Sequence, residues 1–130
     1  IADNSCDILI NVMAPRNTEE FKRVLKPNGC LLAVVPGDSH LRQITDQLMA
    51  HEADQSKKPE TATLSLAPSF QLTTTTSVKN DFIANQKTLQ NLVTMTPLRW
   101  KSQRKSLQDF SQLDHLEVTA DFQLLQYTLA

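Results

Sequence analysis

The chain has 130 residues, enough for one compact domain and too few for two of ordinary size. With 13 basic and 14 acidic side chains it has almost no net charge, so no overall positive field indicates a polyanionic partner. We expect a cytoplasmic protein, because the sequence has only two isolated cysteines, no apolar run long enough to span a membrane and no signal peptide. Since the chain begins at Ile1 without methionine, we also expect a fragment.

The first part of the chain predicts a strand, a helix and a second strand. Residues 6–15, CDILINVMAP, form a continuous apolar run that is typical of a strand buried on both faces. Apolar residues at helical spacing after Thr18 predict a short helix, which KPNG at residues 26–29 should end. CLLAVVPG at residues 30–37 predicts a second buried strand. A strand–helix–strand unit of this length predicts a parallel pair.

The next segments predict a helix and a loop. Asp38 or Ser39 is expected to cap a helix with apolar residues spaced from Leu41 to Met49. Residues 52–63 are polar and lack periodicity, so we expect an exposed loop and the segment most prone to disorder.

The last third of the chain predicts two strands that flank two helices. Residues 69–78, SFQLTTTTSV, are rich in β-branched side chains and predict a strand. Asp81 is expected to cap a helix that extends through Val93, and a second helix is predicted over residues 102–113. Residues 116–130 predict a long strand with partial alternation of apolar and polar side chains.

Several kinds of site are not predicted. The sequence contains no GxGxxG turn, no Walker A loop and no Cys or His pair at metal-ligand spacing, so we expect neither a phosphate cradle nor a metal site in this chain. The three histidines are far apart, and no nucleophile elbow accompanies them. A triad of the adjacent residues 38–40 is excluded because neighbouring side chains point in different directions. No catalytic residue is assigned.

Two polar residues lie where strands of a parallel sheet are predicted to end, which is where open sheets of this kind bind ligands. His40 lies in PGDSHL, after the second strand, together with Gly37. Its imidazole could contact a carboxylate or a ribose, or it could be an exposed side chain with no partner. Asn11, at an apolar strand end, is either a ligand contact or a satisfied strand terminus.

A basic segment with the single tryptophan, MTPLRWKSQRK, covers residues 95–105. Pro97 should separate two helices, and Trp100 is surrounded by Arg99, Lys101, Arg104 and Lys105. A tryptophan beside arginines can stack on a base and hold phosphate, as proteins do with single-stranded or flipped nucleotides. The alternative is a core tryptophan on a helix with a solvated basic face.

Three stretches together resemble the C-terminal half of the bacterial 23S rRNA guanine-N1 methyltransferases. They are IADNSCDILINVMAP, RVLKPNGCLLAVVPGDSHL and LVTMTPLRW. In that family the corresponding stretches read as a D-x-S-x-D strand ending in AP, a V-K-P-G-G turn, P-G-x-x-H-L and M-T-P-x-x-W. The LKPxG turn is common to many S-adenosylmethionine-dependent methyltransferases, whereas PGxxHL together with MTPxxW is much more specific. The resemblance covers the chain almost end to end and is weakest over residues 52–76.

The resemblance implies an α/β fold, the C-terminal portion of a Rossmann-like class I methyltransferase with parallel strands and an antiparallel C-terminal strand. Residues 6–12 and 30–35 would be the fourth and fifth strands, and the Thr-rich and C-terminal segments the sixth and seventh. It implies S-adenosylmethionine as cofactor, contacted by His40, with Asn11 and Gly37 beside it. It also implies 23S rRNA as partner, with a guanine held by Met95, Thr96, Pro97, Arg99 and Trp100.

Two parts of that family are missing from this sequence: the N-terminal zinc-binding module and the Gly-rich cofactor loop. We therefore expect zinc in the parent protein and none here, and an inactive fragment made of residues 1–130. Asn28 replaces a glycine of the family, which a turn needing positive φ would tolerate. The uncovered edge of the fourth strand would allow a homodimer. A methyltransferase for another substrate and a non-enzymatic α/β module remain alternatives.

Overall fold

The computed structural model describes residues 1–49 and 59–130. The strands of these residues are β1 (Cys6–Val12), β2 (Leu25–Pro36), β3 (Phe70–Asn85) and β4 (His115–Leu129). The helices are α1 (Thr18–Val24), α2 (Arg42–Leu48), α3 (Pro59–Leu66), α4 (Gln86–Thr94), α5 (Leu98–Lys101) and α6 (Arg104–Ser111).

The four strands form one mixed sheet in the order β1-β2-β4-β3. β1 pairs with β2 in parallel, from Ile8 opposite Cys30 to Val12 opposite Val34. β2 pairs with β4 in the antiparallel sense. The predictions of a parallel first pair and an antiparallel C-terminal strand are therefore confirmed.

β3 runs antiparallel to β4 on the far side of the sheet. The main-chain N–H of Ala130 donates to Ser69 O at 3.0 Å, and the Thr73 hydroxyl donates to Gln126 O at 3.0 Å. Because the partner in β4 moves towards the N-terminus as the residue number in β3 rises, the two strands run in opposite directions.

The chain forms two compact units. The first contains Ile1–Gly37, Phe122–Ala130 and the described part of Gln55–Val78, and the second contains Lys79–Asp121 and the described part of Asp38–Asp54. Alternate residues of β2 and β4 fill the core of the first unit together with α3, and the Tyr127 hydroxyl lies 3.1 Å from Thr63 Oγ1. The second unit packs α2, α4 and α6 around buried residues that include Ile44, Leu89 and Phe110.

β1 is the outermost strand on its side of the described sheet, so the prediction that both its faces are buried is wrong for this chain. Ile8, Ile10 and Val12 are 62%, 65% and 55% exposed. They alternate along the strand and therefore share one face of the sheet. The apolar run correctly predicted a strand that suits a parallel sheet, but nothing in the described residues covers this face.

α1 ends at Val24, so KPNG follows the end of the helix as predicted, and residues 26–29 belong to β2. The pairing with β1 is irregular there, because Cys6 lies opposite Leu25 and Ile8 lies opposite Cys30. Neither Asn28 nor Gly29 has a positive φ, so the expected need for a left-handed residue at position 28 is wrong. Gly29 is required for a different reason: a Cβ at this position would lie 2.7 Å from Cγ of the buried Leu25.

Two predicted helix caps are also wrong. α2 begins after Leu41, whose side chain makes no capping bond, and neither Asp38 nor Ser39 caps it. Asp81 lies inside β3, which extends seven residues beyond the predicted strand end, from position 78 to position 85. Asn85 caps α4 instead, because its side-chain oxygen accepts a hydrogen bond from Thr88 N at 2.9 Å.

The predicted loop and the last predicted helix need smaller corrections. Residues 59–63 are the first part of α3 and not loop, while residues 52–58 lie outside the described residues. The helix predicted over residues 102–113 is α6, and the short α5 precedes it. Pro97 separates α4 from α5, as the sequence predicted.

Gly29→Ala should destabilise the chain by roughly 1–3 kcal/mol, because the added methyl group overpacks against a buried leucine in close contact. The midpoint of urea unfolding measures the effect. The matched control is Asn28→Ala, since Asn28 is exposed and should tolerate the change within about 0.5 kcal/mol. Equal stability of the two variants would refute the steric explanation for Gly29.

Candidate functional site

Asn11 lies near the end of β1 and is only 6% exposed. Its Nδ2 donates a hydrogen bond to Pro15 O at 3.1 Å, which holds the segment after the strand in place. Its Oδ1 is buried and has no hydrogen-bond partner in the structure. A buried acceptor without a donor is energetically costly. Asn11 Nδ2 thus stabilises the end of the strand, as one sequence interpretation required, while Oδ1 is left as a hydrogen-bond acceptor without a donor among the described residues.

The ends of β1 and β2 form one edge of the sheet in the first unit. Asn11 pairs with Ala33 in register, and β2 continues to Pro36 before the half-buried Gly37. Since the two strands are parallel, both carboxyl ends are at this edge, which is where such sheets bind ligands. The sequence therefore correctly predicted that Asn11 and the start of PGDSHL lie near the carboxyl ends of neighbouring parallel strands, although Asn11 is inside β1 and not after it.

Residues 38–41, in the second unit, form a turn that is hydrogen-bonded to β4. The main-chain N–H of Ser39 donates to Asp121 Oδ2 at 3.0 Å, and the main-chain N–H of Asp121 donates to His40 Nδ1 at 3.2 Å. The main-chain N–H of Leu41 donates to Thr119 O at 2.8 Å. His40 is therefore not the exposed side chain without a partner that the sequence left possible.

Thr119 uses all its polar groups to join this turn to the rest of its unit. Its main-chain N–H donates to Gln43 Oε1 at 3.1 Å. Its hydroxyl accepts from Gln43 Nε2 and donates to Asp81 Oδ1, both at 2.7 Å. Because its carbonyl also accepts the Leu41 N–H, Thr119 links α2, β3 and the 38–41 turn to β4.

Sequence reasoning missed Thr119 and Asp121. Both residues are buried within the stretch VTADFQLL, where a carboxylate needs hydrogen bonds to be tolerated. An acidic residue inside the predicted C-terminal strand was the available signal. Its partner, 82 positions earlier in the chain, was not predictable from spacing.

Trp100 is 83% exposed, which rules out the alternative of a core tryptophan. The Arg99 guanidinium carbon lies 5.5 Å from the centre of the Trp100 ring, a cation–π distance. Met95 is also strongly exposed, and Arg99, Lys101, Arg104 and Lys105 are all exposed around it in sequence. The segment is an apolar and basic surface, as one of the two sequence interpretations required.

The other two predicted residues of this segment have local structural roles. The Thr96 hydroxyl donates to Val93 O at 3.1 Å and closes the end of α4. Pro97 precedes the first residue of α5 and has φ −63°, the value its ring imposes. They set the course of the chain that presents Arg99 and Trp100.

The predicted residues fall into both units. Asn11 and Gly37 belong to the first, and His40 and residues 95–100 belong to the second. Among the described residues, no three His, Cys, Asp or Glu side chains are grouped to hold a metal ion, and no helix is long and apolar enough to cross a membrane. Cys6 and Cys30 are free thiols.

Curated relatives match nearly the whole chain. A protein of Micromonospora griseorubida, provisionally named a 23S rRNA (guanine-N1)-methyltransferase, is 33% identical over 98% of this chain and 43% of its own length. The 23S rRNA (guanine(748)-N1)-methyltransferase of Streptomyces fradiae is 31% identical over 77% of this chain and 35% of its own length. A provisionally named Bacillus subtilis enzyme of the same class is 22% identical over 95% of this chain. The chain thus spans less than half the length of these relatives.

Solved structures of methyltransferases share the fold of this chain. A provisionally assigned methyltransferase of Bacillus halodurans superposes with a TM-score of 0.55 at 14% identity and covers 98% of this chain and 66% of its own. A provisionally assigned type II methyltransferase of Anaeromyxobacter dehalogenans gives a TM-score of 0.50 at 14% identity, covering 97% of this chain and 66% of its own. No protein-family model matches the chain. These structures confirm the predicted Rossmann-like methyltransferase architecture.

Trp100→Ala should leave the free energy of unfolding within about 0.5 kcal/mol of the original value, because the side chain is exposed. Phe110→Ala is the matched comparison, since Phe110 is buried in the same unit and its loss should cost roughly 3–5 kcal/mol. Urea unfolding of both variants measures the difference. A strongly destabilised Trp100 variant would show that the tryptophan packs into the fold.

Proposed function

We propose that this chain, which is homologous to part of the 23S rRNA (guanine-N1)-methyltransferases, is the C-terminal part of the catalytic domain of such an enzyme. The enzyme would transfer a methyl group from S-adenosylmethionine to N1 of a guanine in 23S rRNA. The observation that carries the proposal is the alignment of 98% of the chain at 33% identity with a relative of that name. Because the chain spans less than half of that relative, the activity belongs to the longer protein.

The residues that would bind the cofactor are Asn11, Gly37 and His40. S-adenosylmethionine supplies an electrophilic methyl group, and its adenine amino group and ammonium group are hydrogen-bond donors. The buried Oδ1 of Asn11 lacks a donor, so a cofactor with such groups fits this position. Gly37 follows β2 directly, and His40 lies in the turn beyond it. Asn11 and Gly37 lie near the carboxyl ends of neighbouring parallel strands, which is where such sheets bind ligands.

The substrate base would contact the surface formed by Met95, Arg99 and Trp100. N1 of guanine lies on the Watson–Crick edge, so the base must be unpaired or flipped before it can be methylated. An exposed tryptophan can stack on such a base, and Arg99 already lies over the ring and limits its rotation. Arg99 and Lys101 could hold the flanking phosphates, while Thr96 and Pro97 fix the chain around them.

The rest of the enzyme would supply what this chain lacks. The Gly-rich loop for the methionine end of the cofactor and the zinc-binding module both precede this region in the family that the motifs resemble, so zinc belongs to that part of the protein. The present chain would therefore be inactive alone, because most cofactor contacts are elsewhere. A ribosomal RNA substrate would place the enzyme in the cytoplasm.

Expression of the full-length protein in cells that lack the modification should methylate 23S rRNA at one guanine. N1-methylation blocks Watson–Crick pairing, so reverse transcriptase should stop one nucleotide before that guanine. The 130-residue chain expressed alone is the matched control and should give no stop. Unmodified rRNA with the full-length protein, or modified rRNA with the chain alone, would contradict the proposal.

His40→Ala in the full-length protein should weaken S-adenosylmethionine binding by about 1 kcal/mol, or roughly fivefold, the value of one hydrogen bond. Isothermal titration calorimetry measures the change. His115→Ala is the control, because His115 is exposed at the start of β4 and should leave the affinity unchanged. An unchanged affinity for the His40 variant removes this residue from the cofactor site.

The isolated chain would form a homodimer through the edge of β1. This edge strand carries Ile8, Ile10 and Val12 exposed, and uncovered apolar edge strands pair readily with a second copy. Ile10→Lys should therefore shift the chain to monomer in sedimentation velocity. Ile83→Lys, at an exposed position of β3, should leave the dimer intact. A monomeric original chain would disprove this mode of association.

A further inference from the structure

Asp121 is a buried residue of β4, and its hydrogen bonds are directed to the 38–41 turn. The residue is only 6% exposed. Its Oδ2 accepts the main-chain N–H of Ser39 at 3.0 Å, a bond that the negative charge strengthens. Its own main-chain N–H donates to His40 Nδ1 at 3.2 Å. One residue of β4 thus holds two successive residues of the turn.

The turn adopts a backbone conformation that its sequence does not favour. Leu41 has φ 51° and ψ 27°, the left-handed region that leucine rarely enters. Its side chain is buried in the core of the second unit, and its main-chain N–H is bonded to Thr119 O at 2.8 Å. Strained residues of this kind persist only where the surrounding structure imposes them, and they cluster at functional sites.

The hydrogen bond from the Asp121 N–H also decides which nitrogen of the neutral His40 ring carries the proton. A neutral imidazole carries one proton, and the nitrogen that accepts a hydrogen bond cannot carry it. Since Nδ1 accepts the Asp121 N–H, the proton of neutral His40 is on Nε2. Nε2 of the neutral ring is therefore a hydrogen-bond donor.

We infer that Asp121 is a positioning residue of the cofactor site, which fixes the 38–41 turn through its carboxylate and fixes His40 as an Nε2–H donor through its main chain. This inference rests on the proposed role of His40 in cofactor binding.

The positioning role can be tested in the 130-residue chain by NMR, without any cofactor. In ¹⁵N-labelled protein, a nitrogen–nitrogen coupling across the hydrogen bond should join the Asp121 amide to His40 Nδ1, with the ring proton on Nε2. Asp121→Ala removes the carboxylate that accepts the Ser39 N–H and should speed amide exchange at Ser39 by on the order of tenfold, as expected for one lost hydrogen bond, while the main-chain N–H of residue 121 should keep the coupling to His40 Nδ1. Asp121→Asn keeps an acceptor oxygen and should retain both signals.

The controls separate positioning from general stability. Asp114→Ala removes an exposed carboxylate from the same unit and should change neither signal. Amide exchange at Val93, buried in the core of the same unit, reports a general loss of stability and should stay unchanged in all variants. Absence of the coupling in the original chain, or unchanged Ser39 exchange in Asp121→Ala, would overturn the inference. The measurement on the original chain decides the question even if Asp121→Ala does not fold.

A double-mutant cycle in the full-length protein links the positioning role to the cofactor. If Asp121 acts through His40, Asp121→Ala should weaken S-adenosylmethionine binding, and adding it to His40→Ala should cause no further loss. Additive losses would overturn the assignment of Asp121 to His40. If the NMR coupling is present but His40→Ala does not affect binding, the proposed cofactor role fails while the geometry of the turn stands.

Discussion

The pairing of β4 with its neighbours is the constraint on which the rest of this structure depends. β4 is the last element in the chain but a central strand of the sheet, between β2 and β3. Its C-terminal half supplies the fully buried Leu125 and Tyr127 to the core of the first unit. Its N-terminal half supplies Thr119 and Asp121, which hold the 38–41 turn in the second unit. One strand therefore serves both packing and the candidate site.

The polar groups of β4 show how a buried hydrogen-bond network specifies a loop. A turn with a left-handed leucine would not hold its shape by local preference. Thr119 satisfies its N–H, carbonyl and hydroxyl with three different elements, and Asp121 has its carboxylate and N–H on consecutive turn residues. Because unpaired buried polar groups are costly, any other arrangement of the turn would lose several of these bonds together.

Two groups of exposed apolar residues do not stabilise the fold of this chain by packing into its cores. Ile8, Ile10 and Val12 expose an apolar face on an edge strand, and Trp100 and Met95 are exposed beside basic residues. Neither arrangement contributes to the two cores. An uncovered strand face in the first unit and an exposed basic and aromatic segment in the second are what the proposed function requires for contact with more protein and with RNA.

Local patterns in the sequence predicted most of the strands and helices and singled out several candidate residues. Apolar runs predicted β1 and β2, the βαβ spacing predicted their parallel pairing, and three quoted motifs led to the methyltransferase family and to His40 and Trp100. The strands are predicted by residues close together in the sequence, and the family is indicated by short motifs that can be identified without the structure. The helix cap predicted at Asp81 was wrong because β3 continues past this residue, and strand length is decided by pairing with β4 and not by local propensity.

Only the tertiary structure decided how those residues are held. The exposure of Trp100 and of one face of β1 depends on which elements pack nearby, so a hydrophobic pattern alone cannot assign it. The role of Gly29 became visible only from the distance to Leu25, because the position needs no special φ. The link from Asp121 to Ser39 and His40 joins residues about 80 positions apart, and such contacts arise from the order and direction of strands in the sheet.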